Sequence, residues 1–236
     1  MKNFHLNNKF SIEYRSIVYN FLNMCELIIV SLPYFKKLLN KKLNRNIIVI
    51  ERLVEVLNVK QCSKIYNRYN ISKKKKKVLY IDTSYEYISD FFKIALANPK
   101  YEFIMLSYLP NYYLNNTKKS LIMNIPSNVK VVKYYEELLE FLKICNTVIY
   151  VDKIVNINLI YKILYLKKNL IVRENVLYED YLIDNKNIYL FDKNNLVKKS
   201  CKLLNGDIAN LTLDGYDVVK YNDFNHIIAK INNIFL

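Results

Sequence analysis

Apolar residues in this chain fall into short continuous runs that alternate with stretches of helical spacing. Within residues 73–106, Val78–Ile81 is an apolar run rich in β-forming residues, and Phe103–Leu106 is a second such run. Between them, up to Pro99, apolar side chains recur three and four positions apart, which is the spacing of a helix with one buried face. The pattern predicts a strand–helix–strand unit and hence a parallel sheet.

The same alternation continues on both sides of this unit. Further buried strands are predicted at Leu27–Val30, Ile47–Ile50, Val129–Val132, Val148–Val151, Leu170–Val172 and Ile188–Phe191. Helices are predicted at Phe10–Asn23, Tyr34–Leu43, Cys62–Tyr69, Tyr135–Ile144, Leu159–Leu166, Leu177–Ile183, from Asn194 or Asn195 to Gly206, and at Asp207–Lys220 and Asp223–Phe235. The fold class predicted is α/β: a Rossmann-like parallel sheet with helices on both faces, preceded by a partial N-terminal α/β remnant.

Three parts of the chain are expected to differ in role. Residues 1–57 form the N-terminal remnant, and residues 58–220 form the Rossmann-like domain. Residues 221–236 form a C-terminal helix that packs back on the N-terminal part.

The chain is strongly basic, with a formal net charge of +15. Such a charge favours a polyanionic partner, either nucleic acid or an anionic membrane surface. However, the chain has only 2 Gly, 4 Pro and no Trp and is rich in Lys, Asn, Ile and Tyr, which is typical of an AT-rich coding sequence. Nucleic acid is not expected, because no recognised binding module accompanies the charge.

One block of lysines stands out from the scattered ones: Lys73, Lys74, Lys75, Lys76 and Lys77. Two interpretations remain open for this block, contact with anionic lipid head groups and a solvated loop.

Cysteine and histidine provide no metal or disulfide pattern. Cys25, Cys62, Cys145 and Cys201 are far apart, with no C-x-x-C pair, so each is expected to be a small buried apolar residue and no metal site is predicted. Free thiols without an apolar signal region after Met1 predict a cytoplasmic protein, peripheral at the inner membrane face if the lysine block contacts lipid.

Four segments in order carry a resemblance to a known family. They are Cys25–Leu43, Arg68–Ile81, Val172–Phe191 and Leu203–Val219. Together they resemble the GT-B glycosyltransferases of family 4, in particular bacterial members that add hexose to membrane glycolipids. The resemblance implies two Rossmann-like domains facing a cleft, with the second domain binding the donor. The implied activity is transfer of a hexose from a nucleotide sugar, such as UDP-hexose, to a lipid or glycan acceptor, without a cofactor.

The resemblance also implies two departures from the family. The N-terminal third of such an enzyme is absent from this sequence, so a protein partner is expected to supply it. The family places a glycine and then a basic residue after the strand matching Val78–Ile81, where this chain has Asp82 and Thr83, with Glu86 further on. A carboxylate near the donor phosphates is repulsive.

The donor helix departs from the family as well. The family's two donor-site glutamates fall at about Val155 and Lys162, and the intervening glycine at Ile157. None of these side chains accepts a sugar hydroxyl as a carboxylate does. The donor site is therefore expected to be degenerate.

The candidate donor-binding residues are Arg173, Glu179 and Lys162. Arg173 is expected at a strand end, where it meets a phosphate or pairs with Glu174 or Glu179. Glu179 contacts the donor sugar or forms a solvated or capping pair with Asp180, and Lys162 reaches phosphate from its helix. No catalytic residue is identified, so two hypotheses stand: an active glycosyltransferase, and a catalytically inactive relative acting as partner or stabilising subunit of an active one.

Overall fold

A computed structural model describes residues 9–50, 63–82, 86–107, 125–132, 137–152, 155–178, 181–222 and 224–235. Contacts between residues divide the chain into two compact units, Met1–Leu53 with Asn225–Leu236, and Val54–Phe224. The predicted linker at residues 52–60, and most of the loop predicted at residues 109–128, lie outside the described residues.

The helices and strands alternate along the chain. In order they are α1 (Lys9–Met24), β1 (Leu27–Val30), α2 (Pro33–Asn40), β2 (Asn46–Val49), α3 (Ser63–Arg68), β3 (Lys77–Asp82), α4 (Ile88–Ala97), β4 (Glu102–Ser107), β5 (Val129–Val132), α5 (Leu138–Ile144), β6 (Thr147–Tyr150), α6 (Ile157–Tyr165), β7 (Asn169–Arg173), a 3-10 turn (Val176–Tyr178), β8 (Tyr189–Phe191), α7 (Leu196–Asn205), α8 (Thr212–Val219) and α9 (Phe224–Phe235).

The second unit is built on a six-stranded sheet in the order β5-β4-β3-β6-β7-β8, and every neighbouring pair is parallel. The predicted parallel α/β fold is thus confirmed. Counted from β3, the order is that of nucleotide-binding Rossmann sheets, with the reversal of strand order between β3 and β6. Their register pairs Tyr80 with Ile149.

Burial on both faces explains why β3 is a continuous apolar run. Val78 and Tyr80 belong to a buried cluster with side chains of α4 and α7. Leu79 and Ile81, which alternate with them, are also fully buried on the opposite side, where α5 contacts the strand. A parallel strand between two helical layers needs apolar side chains at every position.

The first unit contains a small parallel pair, β1 and β2, with Leu27 opposite Asn46. Pro33 starts α2 at its first position, where a missing N–H costs no intrahelical bond. Ile28, Leu43 and Ile47 form the buried cluster of this unit.

Helix ends in the C-terminal half differ from the prediction. Gly206 has a left-handed backbone (φ 85°) and ends α7 as predicted. The helix predicted at Asp207–Lys220 is wrong at its start, since it begins only at Thr212. The Leu211 N–H donates instead to Asn169 Oδ1 at 3.1 Å.

Two further local predictions need correction. The helix predicted at Leu177–Ile183 is, in its described part, the 3-10 turn Val176–Tyr178. Asn195 takes the N-cap position of α7 without a side-chain cap bond, and its Oδ1 accepts from the Asp192 N–H at 3.1 Å instead.

Candidate functional site

The carboxyl edge of the six-stranded sheet is the place where this strand order opens a crevice. The connections from β3 and from β6 leave toward opposite sides of the sheet, so the ends of these two strands are not covered by one helix,. Asp82 ends β3, Asp152 follows β6 by two residues, and Arg173 ends β7. These three charged side chains stand at or just after the ends of adjacent strands.

Asp82 is part of the core and not of an open site. Its side chain is fully buried, and its Oδ2 accepts a 2.7 Å hydrogen bond from the Tyr80 hydroxyl. The Tyr80 ring stacks on Phe91 with centroids 4.1 Å apart. Burial, and next Asp82, raise the pKa of Tyr80 well above its usual range, so Tyr80 remains a donor. The Asp82 carboxylate is therefore enclosed at the end of β3.

Arg173 has an ion-pair partner that was not predicted, Glu86. Its Nη1 lies 3.5 Å from Glu86 Oε2, and its guanidinium lies 5.7 Å from the Tyr87 ring centre. Burial raises the pKa of Tyr87, while Arg173 opposes that shift. Glu86 follows β3 and Arg173 ends β7, so the pair spans the crevice over β6. Glu174 is not the partner, and Glu179 lies outside the described residues.

The Arg173 guanidinium donates no hydrogen bond to the described part of the chain. Its Nη1 is buried and has no hydrogen-bond partner there, because the contact with Glu86 at 3.5 Å lacks hydrogen-bond geometry,. A buried donor without a partner is uncommon in native proteins. Arginine donors in this state suit a planar or tetrahedral oxyanion that accepts two hydrogen bonds.

A cavity of about 410 Å³ lies just past the end of β7, and Arg173 itself is not among its lining residues. It is lined by Glu174, Asn175, Val176, Tyr178, Leu182 and Leu190. The lining is mostly apolar with a few polar groups, and the volume is in the range of small-molecule sites.

Lys162, the other donor candidate within the described residues, is not brought together with Arg173. Lys162 is half-buried on α6 and makes no hydrogen bond or ion pair with the described part of the chain. It sits about 8 Å along the helix from Ile157, toward the amino edge of the sheet. Val155 is half-buried and Ile157 is buried, so apolar side chains occupy the positions at which the resemblance places a glutamate and the intervening glycine.

The lysine block lies at the opposite, amino end of β3. Lys73, Lys74, Lys75 and Lys76 are exposed, but Lys77 is 3% exposed. The Lys77 ammonium donates to the Lys75 carbonyl at 2.6 Å, and burial lowers its pKa. The prediction that Lys77 contributes to a membrane-contacting surface is corrected, because its charge is not exposed.

Neither a metal cluster nor a membrane span is found in the described part of the chain. Its His, Cys, Asp and Glu side chains form no group of three that could hold a metal ion. Its helices are also too short or too polar to cross a membrane.

Sequence reasoning missed the residues that fix Arg173, namely Glu86 and Tyr87. Both lie next to each other just before α4, so their spacing gives no sign that they meet the end of a strand two positions away in the sheet. Tyr80 and Asp82 are two positions apart on one strand, and that signal for a same-face pair was available in the sequence.

The structure is similar to those of several glycosyltransferases. The match to a glycosyltransferase from Rickettsia africae has a TM-score of 0.67 and 18% identity, and covers 99% of this chain and 68% of that one. The match to TarM of S. aureus has a TM-score of 0.68 and 17% identity, covering 99% and 48%. The match to HepE of Anabaena in complex with UDP and glucose has a TM-score of 0.66 and 12% identity, covering 93% and 66%.

These similarities show the fold, which is that of the GT-B class of glycosyltransferases. The chain spans between 48% and 68% of the length of these three proteins. No protein-family model matches the sequence, and no curated protein matches it.

Proposed function

We propose that this chain is a glycosyltransferase that transfers a hexose from a nucleotide sugar, such as UDP-hexose, to a lipid or glycan acceptor. The observation that carries the proposal is Arg173, a half-buried arginine whose buried Nη1 has no hydrogen-bond partner among the described residues, at the carboxyl edge of a sheet with nucleotide-binding strand order. The UDP bound by the similar HepE structure supports a nucleotide donor.

The chemistry assigned to Arg173 is neutralisation of the leaving nucleoside diphosphate. Negative charge develops on the diphosphate as the bond between the hexose and the diphosphate breaks. Fixed cations lower the free energy of that state. Glu86 and the Tyr87 ring keep the guanidinium at the end of β7. Arg173 is then positioned before the donor arrives, which reduces reorganisation during the reaction.

A second candidate function is a catalytically inactive member that binds and stabilises an active transferase. The ion pair favours it, because Glu86 already neutralises the cation that a diphosphate needs. Val155 and Lys162 favour it too, since neither provides a carboxylate for the donor sugar where the resemblance places one,.

Calorimetry with UDP-glucose separates the two candidates. For the transferase, we expect micromolar binding that weakens about tenfold or more in Arg173→Ala, as for loss of a charged hydrogen bond. Glu86→Gln should bind more tightly, because a competing carboxylate is removed. Arg68→Ala is the matched control, since Arg68 also pairs with a glutamate, Glu137, but at an exposed position.

The outcome that favours the inactive member is equally specific. If neither the unchanged protein nor Glu86→Gln binds UDP-glucose while both unfold cooperatively, the transferase proposal is overturned. Binding that survives Arg173→Ala would instead move the donor site away from this edge.

Two partner proposals accompany the transferase. A lipid acceptor would bring the protein to an anionic membrane, and the exposed Lys73–Lys76 segment is the surface proposed to contact it. A protein partner completing the two-domain architecture also remains a proposal.

A further inference from the structure

A second cleft, of about 530 Å³, lies at the amino edge of the sheet, at the opposite end of the strands from Arg173. It is bordered by the first residues of β6 and β7 and by the end of α7. Its lining contains four lysines and no carboxylate. The lysines are Lys76, Lys100, Lys167 and Lys168.

Among these four lysines, one ammonium group donates a hydrogen bond to the backbone of the described part of the chain. The Lys168 ammonium donates to the Lys143 carbonyl near the end of α5, at 2.9 Å. Lys167 lies 4.5 Å from the Tyr216 ring centre, and Lys100 lies 5.7 Å from the Tyr101 ring centre. Within the described residues, Lys76, Lys100 and Lys167 form no ion pair.

The backbone at Lys167 is left-handed, with φ 54°. It follows the end of α6, a position where glycine is usually preferred because a side chain costs about 1 kcal/mol there. A lysine at this position places a cation at the cleft at the expense of local backbone energy.

The partial negative charges at the helix C-termini do not fully compensate the positive charge of these lysines. Helices α4, α5, α6 and α7 all end at the amino edge, and each C-terminus carries roughly −0.5 of a charge, or about −2 in total. Four lysines carry +4. The lining therefore retains a net positive charge of about 2 after the helix ends are counted.

Two asparagine side chains add neutral donors to the same lining. Asn146 Oδ1 accepts from the Lys77 N–H at 3.0 Å, and Asn169 Oδ1 accepts from the Leu211 N–H at 3.1 Å. A backbone N–H can only donate, so the side-chain atom facing it is Oδ1. The other atom of each side-chain amide is therefore the donor Nδ2. Neither Nδ2 donates to a described residue, so both are available to an acceptor.

We propose that this cleft binds a phosphate group, held by Lys76, Lys100 and Lys167 with the side-chain amides of Asn146 and Asn169. Lysines act as point charges toward phosphate, and a doubly charged oxyanion satisfies more of them than a carboxylate does. The phosphate belongs either to a soluble phosphorylated compound or to a phospholipid head group. The site is separate from the donor edge and does not depend on the transferase proposal.

Binding of inorganic pyrophosphate to the whole chain tests the site. We expect Lys76→Gln/Lys100→Gln/Lys167→Gln to weaken pyrophosphate binding at least about tenfold, from the loss of charged hydrogen bonds. The matched control is Lys64→Gln/Lys130→Gln/Lys193→Gln, which removes the same charge outside the cleft and should retain the affinity. Unchanged unfolding midpoints show that each variant folds.

A second arm identifies the source of the phosphate. Binding to phosphatidylglycerol vesicles that pyrophosphate displaces and the cleft variant loses assigns a lipid head group. Pyrophosphate binding without such vesicle binding assigns a soluble compound. Absence of pyrophosphate binding, or equal loss in the control variant, would overturn the proposal.

Discussion

At the scale of single residues, glycine is required at positions 206 and 215 for two different structural reasons. A Cβ at Gly215 would lie 2.9 Å from the Asn187 carbonyl oxygen and 2.9 Å from Leu164 Cδ2. A Cβ at Gly206 would meet nothing within 4 Å, but its φ of 85° is unfavourable for other residues. Gly215 is therefore required for close packing, and Gly206 for its backbone conformation.

We expect Gly215→Ala to destabilise the protein more than Gly206→Ala. Overpacking against a backbone carbonyl costs about 1–3 kcal/mol, whereas a left-handed alanine costs about 1 kcal/mol. Urea unfolding at fixed pH measures both. Gly206→Asn is the control, since asparagine tolerates this backbone better. Equal or reversed losses would contradict the packing role of Gly215.

Cys145 makes stability depend on alkaline pH. Burial raises the pKa of its thiol from 9.0 to about 12, so between these values the folded state keeps a proton that the unfolded state releases. Stability therefore falls as pH rises through this window, by at most about 1.4 kcal/mol per pH unit for one proton. Tyr150, with a pKa raised from 10.0 to about 12, acts in the same direction. Lys77, whose pKa is lowered by burial, opposes it.

Urea unfolding between pH 8 and about pH 11 measures this dependence. We expect Cys145→Ala to have a shallower fall in free energy of unfolding across that range, even if it is less stable at pH 8. Cys201→Ala is the control, because Cys201 is only half-buried. Parallel curves for Cys145→Ala and the unchanged protein would rule out the buried thiol as the cause.

The candidate site was predictable residue by residue only in part. Arg173 follows an apolar run, so its place at a strand end was correctly predicted from sequence. Its pairing with Glu86 was not, because that contact depends on which strand lies between β3 and β7. Cys145 is buried as predicted, but Cys25 and Cys201 are half-buried.

At the scale of elements, strands were predicted more reliably than helix ends. The inner strands of the large sheet, such as β3 and β6, are buried on both faces, so each contains a continuous apolar run. Helix ends depend on single hydrogen bonds that periodicity does not report. Asn156 Oδ1 accepts from the Leu159 N–H at 3.2 Å and caps α6, whereas Asn195 has its oxygen engaged with Asp192.

The exposed lysines before β3 are an element-scale test of membrane contact. If they contact lipid, vesicle binding should increase with anionic lipid content and weaken with salt, each lysine contributing about 1 kcal/mol near the surface. Lys73→Gln/Lys74→Gln/Lys75→Gln should bind more weakly, and it leaves Lys76 in the cleft unchanged. If vesicle binding does not change with salt, or is equal for this variant and the unchanged protein, the segment is a solvated loop without membrane contact.

At the scale of the whole molecule, the sequence predicted a parallel sheet but not its strand order. Periodicity identifies which runs are strands, while the order depends on crossovers whose direction is set in three dimensions. The reversal between β3 and β6, which creates the crevice, was therefore beyond the pattern alone. The similarity to solved glycosyltransferases covers both compact units.

We expect a fragment of residues 54–224 to fold by itself. The strands of the six-stranded sheet and the helices that cover it belong to this unit. Circular dichroism should show a cooperative thermal transition for the fragment. As a comparison, a fragment of residues 1–53 lacks the segment 225–236 of its own unit and should show no such transition. A non-cooperative trace for residues 54–224 would contradict the division.

The first compact unit joins residues 1–53 to residues 225–236, and this has a consequence for biosynthesis. At about 5–20 residues per second, a ribosome needs roughly ten to thirty seconds to make the intervening segment. During that interval residues 54–224 are synthesised, while the first unit still lacks residues 225–236. The first unit is thus expected to complete its fold no earlier than the second, which differs from the usual N-terminal-first order. Residues 1–53 remain without the last helix of their unit until residues 225–236 are synthesised.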